Sequence, residues 1–139
     1  MWLIDTTIFL RVLVREDERA FADCVALLEE VKTGKKKAIT AGLVLAEMAW
    51  VLHTSYGLGR KEVAQKVDGV RLLPGIKVVD TYDYAWAIKH YSDKKVKFID
   101  ACLASVPQVR NGECTVVSYD SDFARLDCNW KKPGELLQK

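Results

Sequence analysis

Four carboxylates of this chain stand against or inside apolar runs. Asp5 closes Trp2-Leu3-Ile4, and Glu47 is the one charged residue between Leu43 and Leu52. Asp100 stands between Phe98-Ile99 and Ala101-Cys102-Leu103-Ala104, and Asp120 follows Thr115-Val116-Val117-Ser118-Tyr119. Carboxylates are seldom fully buried without a partner, because removing the charge from water costs several kcal/mol or more. No Lys or Arg lies within those runs to supply one. One economical explanation brings all four acids to one end of a fold around a divalent cation. Hard oxygen ligands with no neighbouring His or Cys favour Mg2+ or Mn2+ over zinc. An ion held in this way activates water for in-line attack and neutralises charge building on phosphorus. The chemistry suggested is phosphodiester hydrolysis.

Each acid also has a plainer reading. Asp5 serves equally as the cap of the helix that follows it. Glu47 could reach the surface from the start of its helix. Asp100 suits the N-terminal dipole of its own helix. Asp120 fits the turn Tyr119-Asp120-Ser121-Asp122, and Asp122 fits the cap of the helical turn from Phe123 to Leu126. Convergence of independent segments is what favours a shared site.

The elements that would position these acids are legible in the pattern. Trp2-Leu3-Ile4, Ala38-Ile39-Thr40, Ile76 to Val79 and Cys114 to Ser118 read as strands, with a last one near Cys128 to Trp130. Between them, Ile8 to Val14 fits a short helix. A second is capped by Asp17 and has Phe21, Val25, Leu28 and Val31 on its inner face. Further helices are expected from Gly42 to Ser55, Arg60 to Leu73, Thr81 to Tyr91 and Phe98 to Val106. Pro74-Gly75 and Pro107 act as breaks. Strands alternating with helices imply an α/β fold, a parallel sheet with helices on both faces. Ligands of such sheets bind beyond the carboxyl ends of the strands. Asp5 and Asp120 fall just past strand ends, while Glu47 and Asp100 fall in first turns of helices that can begin at that edge.

The 139 residues are expected to form a single domain spanning 1–139, and half of them are apolar, enough for a packed interior. The longest apolar stretches are too short to span a membrane, and no signal peptide is evident. Cys24, Cys102, Cys114 and Cys128 form no C-x-x-C pair, and His53 and His90 fall at no zinc spacing. They read as reduced thiols of a cytoplasmic protein. A net charge of +2 is too small to imply nucleic acid by itself. Lys35-Lys36-Lys37 and Lys94-Lys95-Val96-Lys97 read either as solvated loop lysines or as a phosphate-attracting rim.

Taken together, these segments resemble the PIN-domain ribonucleases, in particular the toxins of VapBC-type toxin–antitoxin modules. The opening Leu3-Ile4-Asp5-Thr6-Thr7-Ile8-Phe9-Leu10-Arg11 looks like the family's apolar–Asp–Thr–Asn/Ser–apolar start. Leu45-Ala46-Glu47-Met48 matches its internal Glu, and Phe98 to Ala104 its Asp-Ala helix start. Val116 to Phe123 resembles its closing Thr/Ser-x-Asp-x-Asp-Phe element. The resemblance implies a PIN-like three-layer α/β/α sandwich with a central, mostly parallel sheet, and a Mg2+- or Mn2+-dependent endoribonuclease. It maps the acidic quartet onto Asp5, Glu47, Asp100 and Asp120. Asp5 and Asp100 would be the central ligands. Glu47 and Asp120 would complete the site directly or through water, with Asp122 auxiliary. Ser118 and the hydroxyl of Thr6 or Thr7 would hold ligands or water. It also implies an RNA substrate, a cognate antitoxin and a homodimer. Thr7 departs from the Asn or Ser common in the family: it keeps a hydroxyl, loses an amide and adds a methyl.

Arg11 is placed to reach substrate or antitoxin, or to lie on the surface, and Lys97 is close to Asp100. Trp50, three residues after Glu47, reads as core packing rather than base stacking, and His53 as a packed or surface residue rather than a general base. Two competing functions are a housekeeping PIN nuclease in RNA processing and a PIN-like module that binds RNA or protein without catalysis.

Overall fold

The computed structural model describes residues 1–137. The chain enters at the middle of its sheet with β1 (Trp2–Ile4), followed by α1 (Thr6–Leu13) and α2 (Glu18–Lys32). Then come β2 (Ala38–Ala41), α3 (Gly42–Thr54), α4 (Arg60–Arg71), β3 (Ile76–Val79), α5 (Tyr84–Asp93), α6 (Phe98–Ala104) and α7 (Pro107–Arg110). β4 (Thr115–Val117), a 3-10 turn (Ser121–Arg125), β5 (Trp130–Lys131) and α8 (Pro133–Leu137) complete it. The sheet order is β3-β2-β1-β4-β5, and every pairing is parallel. The expected mostly parallel sheet is thus parallel throughout, in an α/β/α sandwich.

This order sets the site. β2 and β3 build outward on one side of β1, and the chain then crosses back to place β4 on the other side. Such a switch point opens a crevice at the carboxyl ends of the two diverging strands. Ile4 is in register with Val117, so Asp5 and Ser118, the next residues along each strand, leave the sheet side by side.

The three residues of β1 are all buried, as are Val116 and Val117 of β4. Strands covered on both faces need continuous apolar runs rather than alternation, which is what the sequence provides. α2 is rotated from its expected face: Ala20, Cys24, Leu27, Leu28 and Val31 are buried, while Val25 is exposed and Phe21 half-buried. Two apolar stripes at helical spacing overlap there, and Phe21, left half-buried, carries the Arg15 guanidinium 4.1 Å above its ring. α8 has no apolar period long enough to read, and it docks on α2.

Gly75 turns the chain from α4 into β3 with φ of +86°, and a Cβ there would strike the backbone carbonyl of Val31. Gly34 has a similar φ of +81° but open space around it. Gly75→Ala is therefore expected to cost about 2–4 kcal/mol, left-handed strain plus steric overlap, whereas Gly34→Ala costs about 1 kcal/mol. Urea midpoints of the two variants measure the difference; equal losses would remove the overlap from the account.

Candidate active site

Asp5 occupies the N-cap position of α1, yet its carboxylate makes no capping bond. It faces the crevice instead. The Ser118 hydroxyl donates to Asp5 Oδ2 at 2.5 Å, and the Thr7 hydroxyl donates to the same oxygen at 3.2 Å. Both hydroxyls also accept from the backbone, Asp120 N–H donating to Ser118 Oγ at 2.9 Å and Tyr119 N–H to Thr7 Oγ1 at 3.0 Å, and the two hydroxyl oxygens stand 3.2 Å apart. An ionised carboxylate only accepts, so a hydroxyl that bonds Asp5 gives its single proton to Oδ2. Asp5 Oδ1 is left buried with no partner. The hydroxyl that serves is that of Thr7, whereas the Thr6 hydroxyl is buried and unpartnered. Thr7 therefore supplies a hydroxyl bridge from the strand-end backbone to Asp5.

Asp100 sits in the first turn of α6 and is 2% exposed. Its Oδ2 is likewise buried and unpartnered. Carboxylate oxygens of Asp100, Asp120 and Asp122 lie within 4.8 Å of one another. Asp120 caps the 3-10 turn by accepting from Asp122 N–H at 2.9 Å, so it fills the role of a turn residue and that of a site acid together. Asp122 is not the cap of that turn. Its Oδ2 accepts from the Lys97 N–H at 2.9 Å, tying the turn to the start of α6, and Arg125 pairs with its other oxygen at 3.2 Å.

Glu47 is half-buried on α3 and stands outside the close trio. Its charge adds to the rise of Asp5 and of Lys97, behind burial and nearer groups, which is an electrostatic link to the site and not a shared contact. Lys97 brings a second cation to the cluster beside Arg125: its Nζ lies 2.6 Å from Asp120 Oδ2. Sequence proximity to Asp100 gave only a hint of this pairing. Arg11 reaches none of the four acids; its guanidinium lies over the Tyr119 ring, 5.4 Å from the centroid, in a neighbouring cleft lined by Thr7, Glu16 and Tyr56. Lys35, Lys36 and Lys37 precede β2, and the Lys37 carbonyl accepts from Trp2 N–H. They lie at the amino edge of the sheet, opposite the acids, so only the cluster containing Lys97 can act as a rim. Trp50 is 70% exposed, which overturns the core-packing reading. His53 is exposed, with its Nδ1 3.0 Å from the Leu58 carbonyl.

Protonation follows from burial. Burial pushes Asp5 up to about 6, against the lowering pull of the Ser118 hydroxyl. Burial likewise pushes Asp100 up to about 9, with the hydrogen bond to Asp120 and the charge of Asp5 adding to the rise. Burial also works to raise Asp120, but hydrogen bonds from Lys97 and Asp100 outweigh it and hold Asp120 below the ordinary carboxylate value. Lys97 is partly desolvated, which lowers it, yet its acidic neighbours raise it to about 12. The buried acid thus holds a proton that it shares with Asp120, while Asp120 keeps its charge against the ammonium.

Two buried oxygens without partners, with Asp120 and Asp122 clustered on Asp100 and no His or Cys in that cluster among the described residues, suit a hard divalent cation. Such an ion would replace the proton on Asp100 and satisfy Asp5 Oδ1.

Solved structures share this fold. VapBC2 from Rickettsia felis, bound to a DNA fragment from its promoter, aligns with a TM-score of 0.65 at 13% identity, over 94% of this chain and 97% of that one. Mycobacterium tuberculosis VapC20, described as a sarcin–ricin loop cleaving toxin, aligns at 0.66 and 17% identity, over 92% and 96%. PAE2754 from Pyrobaculum aerophilum aligns at 0.64 and 18% identity, over 98% and 91%. No curated protein sequence matches the chain. The PIN domain profile matches residues 2–128, and the chain belongs to the PIN domain family.

Proposed function

We propose that this protein is a metal-dependent endoribonuclease, acting as the toxin of a toxin–antitoxin pair within a single cytoplasmic nuclease domain. The observations that carry the reading are the buried, unpartnered oxygens Asp5 Oδ1 and Asp100 Oδ2, with Asp100 clustered with Asp120 and Asp122 and Asp5 held at the adjoining strand end by Ser118. A divalent cation, Mg2+ or Mn2+, supplies charge neutralisation and a polarised water for phosphodiester hydrolysis when bound there. Asp5 and Asp100 contribute the central oxygens, with Asp120, Asp122 and Glu47 completing the set. Ser118 and Thr7 hold Asp5 in one orientation. Lys97 keeps a half-exposed ammonium at the mouth of the site, where it attracts a phosphate and offsets the acids' repulsion of RNA.

The solved relatives named above include a VapBC assembly and a toxin that cleaves the sarcin–ricin loop, which supports an antitoxin partner and an RNA substrate. An apolar groove of about 380 Å3 between α1, α2 and α4 offers a seat for an amphipathic antitoxin segment. Exposed Tyr84, Ile88 and Tyr91, at helical spacing on α5, and Phe98 beyond them support a homodimer. Among the described residues no helix is long and apolar enough to cross a membrane.

The test is incubation of purified protein, freed of any antitoxin, with pooled transfer and ribosomal RNA. Discrete cuts are expected with Mg2+ or Mn2+ and none with EDTA. Intact RNA under every metal condition would overturn the nuclease reading.

A further inference from the structure

α3 buries one face and leaves the other open. Val44, Met48 and Leu52 form its core stripe. On the opposite side Ala46, Ala49, Trp50 and His53 recur at three and four residues, facing Arg60, Val63, Ala64 and Val67 of α4. The two rows line a groove of about 520 Å3. A lone exposed aromatic carries no message. Three features make Trp50 more than that.

The first is its position. Trp50 lies between the groove and Glu47, about 60° around the helix from that acid and one turn after it. Helical side chains lean back over the preceding turn, so the indole extends the groove towards the turn that carries Glu47. Glu47 is one of the proposed site acids, so Trp50 and a member of the acidic set share one stretch of α3. The second is the polar content. His53 Nδ1 is held at the Leu58 carbonyl, so a neutral ring donates there and presents Nε2 as an acceptor. Arg60 opens α4 at the other wall. The third is charge: the lining includes the guanidinium of Arg60 and no carboxylate. An exposed indole, an oriented imidazole and a guanidinium suit a flat base on a polyanionic strand, and the position of Trp50 one turn after Glu47 gives such a strand a reason to lie there.

We infer that the α3–α4 groove is a nucleobase subsite. A base of the RNA strand, one or more nucleotides from the phosphate at the acids, stacks on Trp50, His53 accepts from its edge, and Arg60 donates to its edge or to the adjoining phosphate. The inference rests on the nuclease reading above.

Single-stranded oligoribonucleotides carrying 2-aminopurine at successive positions test it, bound to the inactive Asp100→Asn protein in Mg2+. Fluorescence quenching is expected at one position. Adding Trp50→Ala should abolish that quenching and raise Kd about tenfold to a hundredfold, the usual worth of one base–aromatic stack. Trp50→Phe should keep most of the affinity. Trp50 is largely solvent-facing, so its replacement removes little packing; unchanged circular dichroism checks this. Undiminished affinity and quenching in Trp50→Ala would overturn the subsite. So would sedimentation showing that the variant acts by breaking self-association, which would make the groove a protein interface. Failure of the nuclease reading shows separately, as no metal-dependent cleavage by the unsubstituted protein.

Discussion

Asp100→Asn is expected to remove metal-dependent RNA cleavage, lowering the single-turnover rate by about a thousandfold or more, while the fold survives. Stabilising charge on a reacting phosphoryl group is worth several kcal/mol, and each 1.36 kcal/mol is a factor of ten. The exchange is close to isosteric. Asp100 already carries a proton in the absence of a cation and shares it with Asp120. An amide N–H can make the same contact, so the packing around α6 should not sense the change. What is lost is the capacity to become an anion in a buried place, which a water-exposed carboxylate elsewhere cannot replace. Far-UV circular dichroism should be unchanged, and calorimetric titration with Mn2+ should show binding weakened or lost. Cleavage at the parental rate would sink the assignment of Asp100 to the metal site. A variant that fails to fold would instead be answered by Asp5→Asn, whose buried, unpartnered Oδ1 at the end of β1 faces the same test.

The sequence carried the acids because each violates a burial rule locally. Asp5 and Asp100 break apolar runs and are found buried, 2% exposed in each case. Asp120 was legible from the strand before it. Parallel β1 and β4 were legible because strands buried on both faces need uninterrupted apolar residues. Three things were not fully legible, all for one reason: they depend on which side of an element meets which neighbour. The Lys97–Asp120 ion pair joins α6 to the 3-10 turn across 23 residues and needs the crossover geometry. The inner face of α2 is half legible: Leu28 and Val31 are buried as their spacing predicts, but Cys24 and Leu27 take the places expected for Phe21 and Val25, because both stripes satisfy helical spacing. Trp50 was assigned to the core because a tryptophan in an apolar helix usually belongs there, yet α3 already fills its buried stripe with Val44, Met48 and Leu52. Composition likewise could not place Lys35 to Lys37, whose charge suggested a rim until the strand direction put them at the far edge.

Without a divalent cation the protein is expected to lose stability as pH rises from about 4 to 9, and Mg2+ should flatten that slope. Asp5 has a folded value of about 6 and Asp100 of about 9, both above the ordinary 3.8. A group raised on folding binds its proton more tightly in the folded state. Its contribution is therefore fully present below its unfolded value and is lost as pH climbs through the folded one. The Asp5 shift alone corresponds to about 3 kcal/mol, or roughly 10 °C in Tm for a chain of this size. Asp120 and Lys97 do not oppose this. Asp120 is lowered and loses its contribution only as pH falls below the ordinary carboxylate range, and Lys97 changes above the window. Protons and cations compete for the same oxygens, so Mg2+ should raise Tm little at pH 5 and most near pH 9. Asp5→Asn should shrink both the slope in EDTA and the response to Mg2+, because the amide has no charge to bury. Thermal unfolding at pH 5, 7 and 9, in EDTA and in Mg2+, reads the effect directly. A Tm in EDTA that stays level or rises from pH 5 to 9 would mean that these oxygens are not held as buried, unpaired acids, and the case for a cation between them would lose its physical ground.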